Sequence, residues 1–167
     1  MPWKYPIGKT CVGNAAVFWD VEDCPIPRRV FPESICQIIK SPLEKKRTRG
    51  IMSIRAFAMM DNDTIDEAGD PLCYAGIRLV HEDSGSIVDQ MQKEILIWAL
   101  EHRPKLGAQN RERPNLVVIA KNVKTESDFG RMLFYLNLRN YNVIAVVPNE
   151  VACPYANSVL LWTSFFD

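Results

Sequence analysis

Six carboxylates at three places in the chain have the types and spacing that could do chemistry. Asp20, Glu22 and Asp23 follow the uncharged, largely bulky run Ala15-Ala16-Val17-Phe18-Trp19. Asp89 follows Ser86 by three residues, and Glu126 and Asp128 lie two apart further on. Carboxylates brought to one place repel unless a cation neutralises them. Magnesium suits such a set because it takes hard oxygen ligands and retains waters beside a phosphate substrate. Each acid also has a structural reading. Ser86-x-x-Asp89 and Thr125-x-x-Asp128 resemble helix caps, and Asp23 before Cys24-Pro25 suits a turn. Asp20 has the weakest structural reading, since an acid ending a buried strand needs a partner or an ion.

The elements around these residues alternate strand and helix. Residues 15–20 read as a strand apolar throughout, as in a parallel sheet covered on both faces. Pro25, Pro27 and Pro32 mark a loop. Phe31, Ile35, Ile38 and Ile39 then recur at helical spacing, with Pro42 expected to end or kink that helix near Ser41. Further strands are expected over 51–59, 77–80, 116–120 and 143–147. Ser86 opens a helix with the stripe Ile87, Met91, Ile95 and Trp98. Phe129, Met132, Leu133 and Leu136 mark another, and Leu160-Leu161-Trp162 with Phe165-Phe166 a short final one. Residues 1–13 read as an irregular lead-in, 14–167 as one domain. This order predicts an α/β fold, a three-layer α/β/α sandwich on a mainly parallel five- or six-stranded sheet. Sites in such sheets form beyond the carboxyl ends of the strands, and there the acids fall.

The totals narrow the function classes. In 167 residues, 20 basic side chains balance 20 acidic ones, so any polyanion site must be a local patch. The basic run Lys45-Lys46-Arg47-Thr48-Arg49-Gly50 reads as a solvated helix end and turn in preference to a phosphate-binding patch. Five widely spaced cysteines without a CxxC pair indicate neither a zinc site nor a disulfide framework, which fits a reducing compartment. No apolar run approaches a membrane span, and the first residues lack a secretory apolar stretch. The expectation is an intracellular protein, the cytoplasm fitting best, with a peroxisome or another organelle left open. Asp61-x-Asp63 lacks the glycine and glutamate of a calcium loop, and His81 and His102 are too scattered for an acid–base pair. GxSxG, Walker A and GxGxxG motifs are absent.

Val17-Phe18-Trp19-Asp20-Val21-Glu22-Asp23-Cys24-Pro25-Ile26-Pro27 resembles the opening of NYN domains, most closely the branch containing meiosis regulator and mRNA stability factor 1. Gly85-Ser86-Ile87-Val88-Asp89 resembles that family's Lys-x-x-Asp helix start. Lys124-Thr125-Glu126-Ser127-Asp128-Phe129 resembles its Ser-Gly-Asp-x-Asp-Phe segment. The chain departs at Glu126, where the family has aspartate, and at Asp23, usually asparagine. NYN domains are similar to PIN domains, metal-dependent ribonucleases. The resemblance therefore implies an endoribonuclease acting on single-stranded RNA, with Asp20, Asp89, Glu126 and Asp128 as catalytic residues. Asp20, Asp89 and Asp128 would hold Mg2+ or Mn2+. Asp23, Lys121 and Lys124 would meet the substrate, and a homodimer is open. The alternative is a catalytically weakened NYN-fold module that binds RNA or protein. A phosphatase-like reading of Asp20-x-Glu22 lacks the usual second aspartate and threonine.

Overall fold

The computed structural model of the chain describes residues 15–45, 52–59, 77–82, 86–105, 113–121, 123, 126–150 and 153–167, with backbone alone at 52, 79, 81 and 82. The lead-in 1–13, the Asp61–Asp70 acidic stretch, Lys124, Thr125 and most of the basic run lie outside these residues.

Six strands form one sheet: β1 (Ala15–Asp20), β2 (Met52–Met59), β3 (Arg78–Glu82), β4 (Asn115–Ile119), β5 (Asn142–Val147) and β6 (Ser158–Leu161). Their spatial order is β3-β2-β1-β4-β5-β6 and every pairing is parallel. The expected sandwich is therefore present, with six strands. β1 and β4 are central and fully buried because both faces are covered, hence their unbroken apolar sequences. The chain winds outward from β1 to β3 and then restarts at β4 on the other side. The switch point of the sheet thus lies between β1 and β4, where a crevice opens at the carboxyl ends.

Helices α2 (Ile87–Glu101) and α3 (Asp128–Leu138) pack on one face. Met91, Ile95 and Trp98 of the first and Phe129, Leu133 and Leu136 of the second cover Ala16, Phe18, Leu116 and Val118. Trp98 meets Phe18 edge-on at 6.2 Å between ring centroids and stacks on His102 at 5.2 Å. The half-buried Arg55–Glu94 pair, 3.1 Å apart, ties β2 to α2. Helix α1 (Ile35–Lys45) covers the other face together with a 3-10 turn over Trp162–Phe166. No helix among the described residues is long and apolar enough to cross a membrane.

Three local expectations are corrected, the second in part. Phe31 is 73% exposed and lies before the helix; the buried stripe of α1 is Ile35, Ile39 and Leu43. Of the end or kink expected at Pro42, the end does not occur: the helix runs through Pro42 to Lys45, because Leu43 is wholly buried and its burial outweighs the backbone hydrogen bond that proline cannot make. Replacing Pro42→Ala restores that donor. It should stabilise the fold by ~1–3 kcal/mol, read as a higher denaturant midpoint at unchanged slope. Leu160 and Leu161 belong to β6, paired with Val146 and Val147, and only Trp162–Phe166 is helical. A run this short has no period to separate strand from helix, and the free edge of β5 decides.

Candidate acidic site at the carboxyl edge

Asp20 is the last residue of β1 and 3% exposed. Side chains alternate along a strand, so Asp20 continues the Ala16–Phe18 face and points towards the layer of α2 and α3. Its Oδ1 accepts hydrogen bonds from the amides of Glu22 (2.9 Å) and Asp23 (3.1 Å), which curls the chain back at the strand end. The turn rests on two indoles. Trp19 Nε1 donates to the carbonyl of Cys24 at 2.7 Å and Trp162 Nε1 to that of Pro25 at 3.0 Å. Asp23 reaches across the switch point, its Oδ2 accepting from the amide of Lys121 at 3.0 Å. The turns after β1 and β4 are thereby latched together.

Burial pushes the Asp20 carboxyl up to about 6, and repulsion from Asp23 adds to it; the groups favouring its ionised form are the Asp23 and Glu22 amides. A buried acid beside a second acid is a place where a bound cation would be welcome. Burial, then Asp23 and Asp20, raise the Cys24 thiol to about 12, so it is a packed, unreactive group.

The other acids sit at two helix starts. Ser86 caps α2, its Oγ accepting from the Asp89 amide at 3.4 Å. Ser127 caps α3, accepting from Gly130 at 2.9 Å. The helix starts at Asp128, which therefore falls in the first turn rather than at the capped position; Thr125, the cap expected from the sequence, lies outside the described residues. Asp89 and Asp128 are exposed, and Asp128 is 3.5 Å from Arg131 in a solvent-screened contact worth little.

A cleft of about 600 Å³ opens between the two helix starts, lined by Ser86, Val88, Asp89 and Gln92 on one side and Glu126, Ser127, Asp128 and Phe129 on the other. The structure so brings Asp89, Glu126 and Asp128 around one cleft. Asp20 and Asp23 form a separate pair at the strand ends and do not line it. Lys121 is exposed just past β4, its amide held by Asp23. Among the described residues no three acids, histidines or cysteines are close enough to hold one ion jointly. Gln92 escaped the sequence reading. Its signal is its position three residues after Asp89, on the same helix face. His102 has a structural role, Nδ1 lying 2.8 Å from the Trp98 carbonyl.

A parallel three-layer sheet with acids at its switch point defines a class of site, one whose carboxylates suit a bound cation. The NYN domain family matches residues 14–160, and the chain belongs to that family, whose fold is PIN-like and nuclease-type. No curated protein matches the chain in sequence. Among solved structures it is similar in fold to VPA0982 of Vibrio parahaemolyticus RIMD 2210633, a protein of unknown function. The TM-score is 0.60 at 11% identity over 94% of this chain and 96% of that one. N-carbamoylsarcosine amidase of Thermoplasma acidophilum aligns over 90% and 96% at 15% identity, but its TM-score of 0.39 carries no argument.

Proposed function

We propose that this chain is a metal-dependent endoribonuclease hydrolysing phosphodiester bonds of single-stranded RNA. The observation that carries this is the arrival of acids from separate parts of an NYN domain at the carboxyl edge of its sheet, Asp89, Glu126 and Asp128 around one cleft and Asp20 buried at the end of β1. The donors are hard carboxylate oxygens. Mg2+ is commonly held by one or two carboxylates and its own waters, so the set fits that ion, or Mn2+, without a three-acid shell. Asp20 would be its central ligand, with Asp89, Asp128 and Glu126 holding it through its own waters. When bound, the ion supplies Lewis-acid stabilisation of phosphoryl charge and a water of lowered pKa.

The chain's own groups do the rest. Asp20 is held in one orientation by two amides, so the site needs little reorganisation. The N-termini of α2 and α3 flank the cleft, and their partial positive charge favours a phosphate there. Lys121, and Lys124 by its place in the sequence, would contact neighbouring phosphates. Kinship with the meiosis regulator and mRNA stability factor 1 branch rests on the 17–27 motif, and an intracellular location on the odd number and wide spacing of the cysteines.

The test is incubation of the protein with mixed-sequence single-stranded RNA and Mg2+ or Mn2+, with and without EDTA. Internal cleavage that EDTA stops is the expected result; intact RNA with both metals sinks the proposal. Asp23→Asn keeps an oxygen for the Lys121 amide while removing the charge that raises Asp20. The acid limb of the pH–rate profile should move to lower pH, measured under single-turnover conditions. An unmoved limb would separate that limb from Asp20.

A second reading, a binding module that no longer cuts, is favoured by the altered acidic segment, where Glu126 stands in the place of the family's aspartate, and by the chain's lack of net charge. Calorimetric titration separates the two. RNA binding without affinity for Mg2+ or Mn2+ would favour the module.

A further inference from the structure

The helix pair that opens the acidic cleft at one end forms a second depression at the other. The C-terminal halves of α2 and α3 enclose a groove of about 400 Å³, walled by Leu96, Ala99 and Leu100 on one side and Leu136 and Tyr141 on the other, with Arg103, Pro104 and Arg139 at its rim. Its floor is fixed. Asn140 takes a left-handed φ of 71°. The amide of Asn140 donates to Asn137 O and that of Tyr141 to Leu136 O, both at 3.1 Å. This is a Schellman stop that clamps the end of α3. The Tyr141 hydroxyl donates to the Ala99 carbonyl, joining the two helices.

Apolar surface continues outward from the groove. Leu96, Ile97 and Leu100 on α2, and Phe134, Tyr135 and Leu138 on α3, are exposed, Leu100 and Leu138 by 62% and 60%. Each helix thus carries a second apolar stripe opposite the one it buries in the core, and the residues of these stripes are 40–64% exposed. Large apolar side chains left exposed together beside a groove are a feature of interaction surfaces. Arg103 and Arg139 are exposed and, among the described residues, neither is in an ion pair. The chain as a whole has no net charge, so this positive rim is local.

We infer that the α2–α3 groove is a docking site for an amphipathic helix of a partner protein, one with apolar side chains at i, i+3/i+4 and i+7 flanked by carboxylates. Helix-in-groove binding uses apolar anchors in a cleft between helices, with rim charges setting register and partner choice. A second copy of the chain fits less well, since a twofold contact here would bring the arginine-rimmed patch against itself. RNA fits less well because bases stack on aromatic faces, while this groove is walled mainly by aliphatic side chains. A membrane surface would not use a concave groove. The site lies a helix length, on the order of 20 Å, from the acidic cleft, so it can be occupied without blocking it.

The probe is a fluorescein-labelled helical peptide of about 16 residues with Leu at the anchor spacing and Glu on the flanks. A second peptide carries Lys in place of Glu. Anisotropy should show saturable binding of the Glu peptide and at least about tenfold weaker binding of the Lys peptide. Arg103→Glu with Arg139→Glu should invert that preference, and Leu100→Asp should abolish binding, while RNA cleavage stays unchanged in both variants. Leu100 and both arginines are exposed, and circular dichroism will establish that each variant is folded. Several results would overturn the inference: no saturable binding, equal binding of both peptides, or displacement of the peptide by single-stranded RNA. So would a concentration-dependent dimer in sedimentation that Leu100→Asp disperses, or Leu100-dependent binding to phosphatidylserine vesicles.

Discussion

Asp20→Asn should abolish metal-dependent RNA cleavage, by about a hundredfold or more, and at the same time stabilise the metal-free protein at neutral pH. Both effects come from one carboxylate. The activity loss follows from removing the central proposed ligand while leaving its shape in place; asparagine retains the oxygen that accepts from Glu22 and Asp23. The stability gain follows from linkage. The Asp20 carboxyl is raised from 3.8 to about 6 in the fold. Between those values the folded state holds a proton that the unfolded chain has released. Stability is therefore highest below pH 3.8 as far as this group is concerned, and falls as pH rises through about 6. The full cost of ionising it is at most about 3 kcal/mol, at 1.36 kcal/mol per unit. Thermal melts in EDTA should show the variant more stable than the parent at pH 7.5 and equal to it near pH 3.5. A variant less stable at pH 7.5 would mean that Asp20 is already neutralised in the native protein. Added Mg2+ should raise the parent's midpoint and leave the variant's unmoved.

Trp19→Phe should cost about 2–4 kcal/mol and weaken cleavage without touching any acid. The ring is completely buried, in contact with Trp162 at 5.5 Å, and its indole donates to the carbonyl of Cys24. Phenylalanine removes the donor, leaves that buried carbonyl unsatisfied and opens a small void. The turn that carries Asp20, Glu22 and Asp23 then loses its support from below. A denaturant melt reads the first effect. Single-turnover cleavage at a temperature where the variant is fully folded reads the second, and an unchanged rate there would show that the turn holds itself. Asp23, anchored on Lys121, is the group able to do that.

The fold was legible because parallel strands buried on both faces must be apolar throughout, as Ala15–Trp19, Leu116–Ile119 and Val143–Val147 are, and because Met91, Ile95 and Trp98 repeat at helical period. The acids were legible because strand ends and helix starts in such a sheet fall at one edge. Phe31, the helix end expected at Pro42 and Leu160–Leu161 are where the local pattern misled. At the last two it was overruled by a packing opportunity distant in sequence: a core place for Leu43, and an open edge of β5. Only the tertiary structure could separate the acids into a cleft group, Asp89, Glu126 and Asp128, and a strand-end pair, Asp20 and Asp23. That division depends on side-chain reach across the switch point, which no spacing along the chain encodes. The same holds for the Asp23–Lys121 latch, joining residues 98 apart in sequence, and for the apolar groove at the far end of the two helices. Periodicity tells that a helix has an inward stripe. Whether its second apolar stripe is covered depends on which neighbours the fold places beside it.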